Sequence, residues 1–221
     1  MNKSFFFEEW PRLICITSDF STMSHFEQVV EFCEAGAKFI QFRSKVLSEL
    51  ALHEEATKCV QVCNSHSACI IINDFTQTAL SSGAHGVHLG SSDLTPKNAR
   101  KILGKKRLIG STVHSIEESY EIDPDYCDYV GLGPFRLSKT KPSLRPSLSK
   151  SQILKIVSIL SPLPVFLIGG LNINDFGLIK ELGVTGICCC SSLFDEKGLA
   201  ASNVSSYVDR SRYTDNLLVR N

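Results

Sequence analysis

The sequence predicts an α/β fold, a single-domain (β/α)8 TIM barrel. Three observations carry that expectation. Short runs rich in Ile, Val and Phe recur eight times along the 221 residues, amphipathic stretches separate them, and the short runs are apolar throughout. Strands that are apolar on both faces and alternate with helices form a parallel sheet, and eight such units close into a barrel. One domain is expected over residues 1–221, with its core over about 12–195 and an eighth helix and tail after 198.

Taken in order, "RLICITS" reads as the first strand and "HFEQVVEFCEAGA" as its helix, then "KFIQFRS" and "ELALHEEATKCVQVCN". "ACIIIND" and "TQTALSSGA" follow, then "GVHLG" and "TPKNARKILG", and then "RLIGST" and "SIEESYEI". "YVGLG" pairs with "SKSQILKIVSIL", "VFLIGG" with "NDFGLIKELG", and "GICCCSS" is the last strand. Apolar residues return at three and four positions in the helical stretches, and Gly closes several of them, as at "EAGA", "SSGA" and "ELGV". No G-x-G-x-x-G follows the first strand, which argues against the rival doubly wound sheet.

Composition narrows the partners. Lys plus Arg and Asp plus Glu balance at 23 each, so no global field favours nucleic acid or an anionic membrane, and anion binding has to be local. The opening "MNKSFFFEEWPRL" lacks the apolar region of a secretory signal, and "VSILSPLPVFLIGG" is broken by prolines and paired glycines. A soluble, cytoplasmic protein acting on small molecules is expected, with no membrane and no nucleic-acid partner. The oligomeric state is left open, a homo-oligomer included. The nine cysteines are odd in number and sit inside apolar runs, as free buried thiols do in a reducing compartment. Cys59 and Cys63 share a helix face without a second pair to complete a zinc site, so structural zinc is not expected.

In such a barrel the polar groups at strand exits converge at the C-terminal mouth. Strand two leaves through Gln41, Arg43 and Lys45, whose period of two puts all three on one side, toward the lumen or its rim. Inward cations need a counter-anion there, and a diphosphate would serve. Asn73 and Asp74 end strand three and Asp93 follows strand four, close enough for the two carboxylates to share one hard cation such as Mg²⁺. The competing expectation makes Asp93 and Asp74 helix N-caps. Ser138, Thr140 and Lys141 follow strand six and suit a phosphate. Gly169 and Gly170 after strand seven, and Cys190 and Ser191 after strand eight, offer backbone amides where this fold often binds phosphate. The three adjacent cysteines alternate in and out of the sheet, and packing is preferred for them over a reactive thiolate. Thr112 and His114 follow strand five, with Ser115 and Glu118 matching a capping box. His114 is either a general acid or base or a hydrogen-bonded strut, the strut being preferred, and His88 reads as structural.

Taken as an ordered set, "GAKFIQFRSK", "IINDFTQTALSSGAHGVHLGSSDL", "LIGSTVHSIEES", "DYVGLGPFRLSKTKP", "IGGLN" and "GICCCSSLF" resemble the thiamine-phosphate synthase family, which includes thiazole tautomerase relatives, from Leu13 to Phe194. The resemblance implies a transferase joining 4-amino-2-methyl-5-diphosphomethylpyrimidine to a thiazole phosphate, giving thiamine phosphate and pyrophosphate. It implies that Gln41, Arg43, Lys45, Asn73, Thr112 and Lys141 hold the pyrimidine diphosphate and that Asp74 and Asp93 hold Mg²⁺. It seats the thiazole phosphate on Ser138, Thr140, Gly170, Cys190 and Ser191. Arg43, Lys45 and Lys141 then stabilise the departing pyrophosphate, so that the pyrimidine methylene develops carbocation character. Two departures stand out. Arg136 lies where the family usually has an apolar or aromatic residue, and "LSK" replaces a Pro/Thr-rich loop. The alternatives are a thiazole tautomerase using His114, or a non-catalytic thiamine-phosphate binding protein in which Arg136 blocks the loop.

Overall fold

The computed structural model describes residues 9–137, 145–195, 198 and 201–219. Eight parallel strands close in sequence order, each followed by a helix. The strands are β1 (Leu13–Ile16), β2 (Phe39–Phe42), β3 (Cys69–Asn73), β4 (Gly86–Leu89), β5 (Leu108–Val113), β6 (Tyr129–Leu132), β7 (Val165–Ile168) and β8 (Gly186–Cys189). Their helices are α1 (His25–Glu34), α2 (Glu49–Ser65), α3 (Thr76–Ser81), α4 (Pro96–Leu103), α5 (Ile116–Tyr120), α6 (Lys150–Leu160), α7 (Gly177–Leu182) and α8 (Ala201–Val219). A 3₁₀ turn, Ile173–Phe176, precedes α7 and another, Ser191–Leu193, follows β8.

The two-residue period of the strands sorts their side chains into two apolar bodies. Ile14, Phe39, Ile71, Leu108, Tyr129, Phe166 and Cys188 fill the lumen. Cys15, Ile40, Ile70, Val87, Val130, Leu167 and Cys189 face the helices. Cys188 and Cys189 therefore sit on opposite sides of one strand, as the alternation requires. None of the nine cysteines forms a disulfide. Among the described residues no helix is long and apolar enough to cross a membrane.

The lumen is packed from below. Trp10 lies against Phe39, Tyr129 and Phe166, with ring centroids 6.0, 5.7 and 5.9 Å away. Tyr129 itself requires Gly110 on the neighbouring strand, because a Cβ there would fall inside its ring. Above this aromatic floor the inward positions turn polar: Gln41, Asn73, His88 and Thr112. Register brings them level, with Asn73 paired to His88 and Ile16 to Gln41.

Candidate active site

Gln41, Arg43, Asn73, Thr112, Gly170, Cys190 and Ser191 line one cavity at the C-terminal mouth, together with His88, His114 and Arg136. Its remaining wall is apolar, from Ile16, Pro134, Ile168, Leu171 and Cys188. Ser138, Thr140 and Lys141 lie outside the described residues.

The strand-two trio divides. Gln41 is buried in the lumen and Arg43 is half-buried on the cavity wall, while Lys45 is exposed and forms an ion pair with Asp74. Strand β2 stops at Phe42, so the period of two does not carry through to Lys45. The cause is a polar brace from the β1–α1 loop that the sequence did not reveal. Thr17 Oγ1 accepts the Arg43 backbone N–H at 2.8 Å. Asp19 accepts the Lys45 backbone N–H at 2.9 Å and the Ser44 hydroxyl at 2.6 Å. His25, buried on α1, sits between the two, with Nδ1 2.8 Å from Thr17 Oγ1 and Nε2 3.0 Å from Asp19 Oδ1. Burial works to raise the Asp19 carboxyl, but the bonds from Ser44, Lys45 and His25 outweigh it and hold the group below its ordinary value. The same strand-exit rule that selected Gln41 would have flagged the polar "TSD" after β1.

Neither aspartate caps a helix. The N-cap of α3 is Phe75, with no side-chain bond, and that of α4 is Thr95. Asp74 instead has φ +67° and sits inside a three-residue turn closed by Phe75 N–H donating to Asn73 O at 2.8 Å. A γ-turn of this left-handed kind is rare and strained, and Asp is among the few residues that tolerate it. Asp93 accepts the Gly90 N–H at 2.7 Å and lies beside Asp74. Burial and the neighbouring Asp74 carboxylate raise the Asp93 carboxyl above its ordinary value, against the Gly90 bond and Lys45. The donor set is two hard carboxylates with an ammonium already drawn onto one of them. Among the described residues no cluster of three or more His, Cys, Asp or Glu forms a metal cage. Such a set fits Mg²⁺, which takes few carboxylates and completes its shell with water and phosphate oxygens.

Asn73 is nearly buried, and among the described residues its Nδ2 has no hydrogen-bond partner. An orphaned donor on the wall of a cavity is poised for a ligand acceptor. Thr112 is set from behind: Tyr129 Oη lies 2.9 Å from His88 Nδ1, and His88 Nε2 lies 2.9 Å from Thr112 Oγ1. His88 thus has the structural part expected of it, bridging the lumen floor to a cavity hydroxyl.

His114 is anchored as a strut, its Nδ1 donating to Gly133 O at 2.6 Å. The capping box beside it is only half formed. Ser115 Oγ accepts Glu118 N–H at 3.2 Å, but the Glu118 carboxylate takes the His114 N–H at 2.7 Å and pairs with Arg145 instead of reaching back to Ser115. A thiolate at β8 is disfavoured, since burial pushes the Cys190 thiol up to about 11 despite nearby Arg43. Arg136 is one of the residues lining the cavity. It forms a two-pronged pair with Asp175, both contacts 2.8 Å, and donates to Gly170 O at 3.1 Å.

Residues 13–193 match the family model described as thiamine monophosphate synthase. A thiamine-phosphate synthase of Fusobacterium nucleatum is 36% identical over 169 residues, covering 76% of this chain and 81% of its own. One of Phocaeicola vulgatus is 32% identical over 186 residues, covering 82% and 89%. The chain spans about half the length, 52%, of a thiamine-phosphate synthase from Prochlorococcus marinus, at 32% identity over 85% of this chain. Among solved structures, thiamine phosphate pyrophosphorylase from Pyrococcus furiosus superposes with a TM-score of 0.79 at 26% identity, covering 94% of this chain and 96% of that one.

Proposed function

The chain belongs to the thiamine monophosphate synthase family, and from that premise we propose that the barrel mouth joins a pyrimidine methyl diphosphate to a thiazole phosphate. The activity is accordingly thiamine-phosphate synthesis, a transferase reaction of thiamine biosynthesis. The observation that carries the detailed reading is the meeting of opposite charges on one rim: Asp74 and Asp93 stand beside Lys45, next to the cavity wall that holds Arg43 and the orphaned Asn73 amide.

In this reading Asp74 and Asp93 would hold Mg²⁺, which would supply charge neutralisation to the leaving diphosphate. Arg43 binds the diphosphate from the cavity wall, and Lys45, released from Asp74, binds it from the rim. Lys141 completes the cation set by resemblance. The C–O bond between the pyrimidine methylene and the diphosphate breaks, its electron pair leaving with pyrophosphate. The thiazole ring nitrogen then donates its lone pair to the methylene carbon. Gln41, Asn73 and Thr112 orient the pyrimidine diphosphate, and Gly170, Cys190 and Ser191, with Ser138 and Thr140 by resemblance, seat the thiazole phosphate. Ile16, Ile168 and Leu171 keep water from a cationic carbon. No protein nucleophile is required, so positioning and electrostatics do the catalysis. Nine free thiols suit a reducing cytosol, where we place the enzyme.

Purified protein given both substrates and Mg²⁺ should release pyrophosphate, and a chelator should stop it. Absence of release across pH and metal conditions would defeat the proposal. The family model and the relatives carry the synthase name, which favours this reading over the tautomerase alternative.

A further inference from the structure

Arg136 lines the same cavity as Gly170 and Ser191, and among the described residues its guanidinium is only partly used. A guanidinium carries five N–H bonds in one plane. Nη1 spends both of its own on Asp175 Oδ2 and Gly170 O, and Nη2 spends one on Asp175 Oδ1. The second Nη2 proton and the Nε proton remain. They lie side by side along the other edge of the plane, and among the described residues no partner takes them. The plane is held in place: Asp175 is buried and also accepts the Asn172 N–H at 2.8 Å, while the guanidinium carbon sits 4.6 Å from the centre of the Phe135 ring.

We propose that the Nε–Nη2 edge of Arg136 is a phosphate fork, a further binding residue for the phosphate of the thiazole substrate. This rests on the preceding assignment of that phosphate to Gly170, Cys190 and Ser191. Two parallel N–H donors in a rigid plane match two phosphate oxygens, a geometry Lys cannot reproduce. Asp175 serves as the positioning residue. It fixes the Nη1–Nη2 end and leaves the Nε–Nη2 edge open for a ligand, and the Gly170 contact ties the fork to the loop that would carry the anion. The departure at Arg136 is then a gain of one anchor.

The test compares thiazole phosphate with its dephosphorylated alcohol, each titrated calorimetrically into the full chain of wild type, Arg136→Gln and Arg136→Lys. Pyrophosphate release is assayed separately. Wild type should prefer the phosphate, Arg136→Gln should cut that preference about tenfold, and Arg136→Lys should cut it by a smaller factor, with alcohol binding nearly unchanged throughout. If the preference stays within about twofold while both affinities fall together, Arg136 is only a strut and the proposal is overturned. Should Arg136→Gln fail to fold, the charge-retaining Arg136→Lys decides by the same ratio. A wild type that binds the phosphate selectively through Arg136 yet releases no pyrophosphate would sink the reaction and leave the fork standing. Turnover with an unchanged ratio would do the reverse.

Discussion

The Nδ2 of Asn73 is a buried donor that finds no acceptor among the described residues, which costs the free protein stability and readies it for a ligand. Asn73→Leu should therefore leave the denaturant midpoint unchanged or raise stability by about 1 kcal/mol, while lowering kcat/KM for the pyrimidine diphosphate about a hundredfold. Asp93→Asn tests the rim in a different way. An Asn oxygen can still accept the Gly90 N–H, so circular dichroism and melting should match wild type while Mg²⁺-dependent turnover is lost. A melting temperature that fell along with activity would make Asp93 structural. Asp74 is the more delicate of the pair because its backbone is left-handed, so Ala there adds backbone strain to the lost carboxylate, and Asn is the cleaner probe.

At the level of elements, the loop after β1 and the exit of β2 form one unit through Asp19, Thr17 and His25. Asp19→Ala would leave the Ser44 hydroxyl and the Lys45 N–H without their acceptor, at a cost of about 1–3 kcal/mol, and should weaken diphosphate binding as the Arg43–Lys45 segment loosens. Asp19 and Asp175 both have carboxyls held below their ordinary values. For Asp175, burial opposes the shift, while bonds from Arg136 and the Asn172 N–H outweigh it. The sign follows from proton binding: the unfolded chain takes up these protons first as pH falls. Their stabilisation is complete above an ordinary Asp pKa of about 3.9 and is lost as pH drops through the lower folded values. Urea midpoints measured from pH 6 to pH 2 should fall less steeply for Asp19→Asn and Asp175→Asn than for wild type.

The same elements show what could be read from sequence. Eight strands were legible because each carries a short run rich in apolar residues on both faces, and Gln41 and Arg43 because a period of two survives to the cavity wall. Lys45 was legible as a rim cation but not as the partner of Asp74, since β2 ends at Phe42 under the pull of Asp19, a contact between residues 26 apart. The half-formed box at Ser115 has a similar origin: Glu118 is taken by His114 N–H and Arg145, the latter 27 residues away. Local motifs give the candidates for a bond, and tertiary neighbours decide which of them forms.

For the whole molecule, stability and chemistry are assigned to opposite ends of the barrel. Trp10→Ala at the aromatic floor should cost about 3 kcal/mol, seen as a lowered melting temperature, with kcat/KM within about twofold of wild type below that temperature. Gly110→Ala should cost about 3 kcal/mol as well, because a methyl group there collides with the Tyr129 ring, and its effect should reach Thr112 through His88. A filled lumen also has a kinetic corollary. Among the described residues Trp10 and its three aromatic neighbours stopper the lower end, so whatever enters by the mouth departs by the route it came. Spent pyrophosphate and finished thiamine phosphate then queue where the next reactants arrive, so each should act as a competitive inhibitor, and turnover should be governed by how fast the doorway clears.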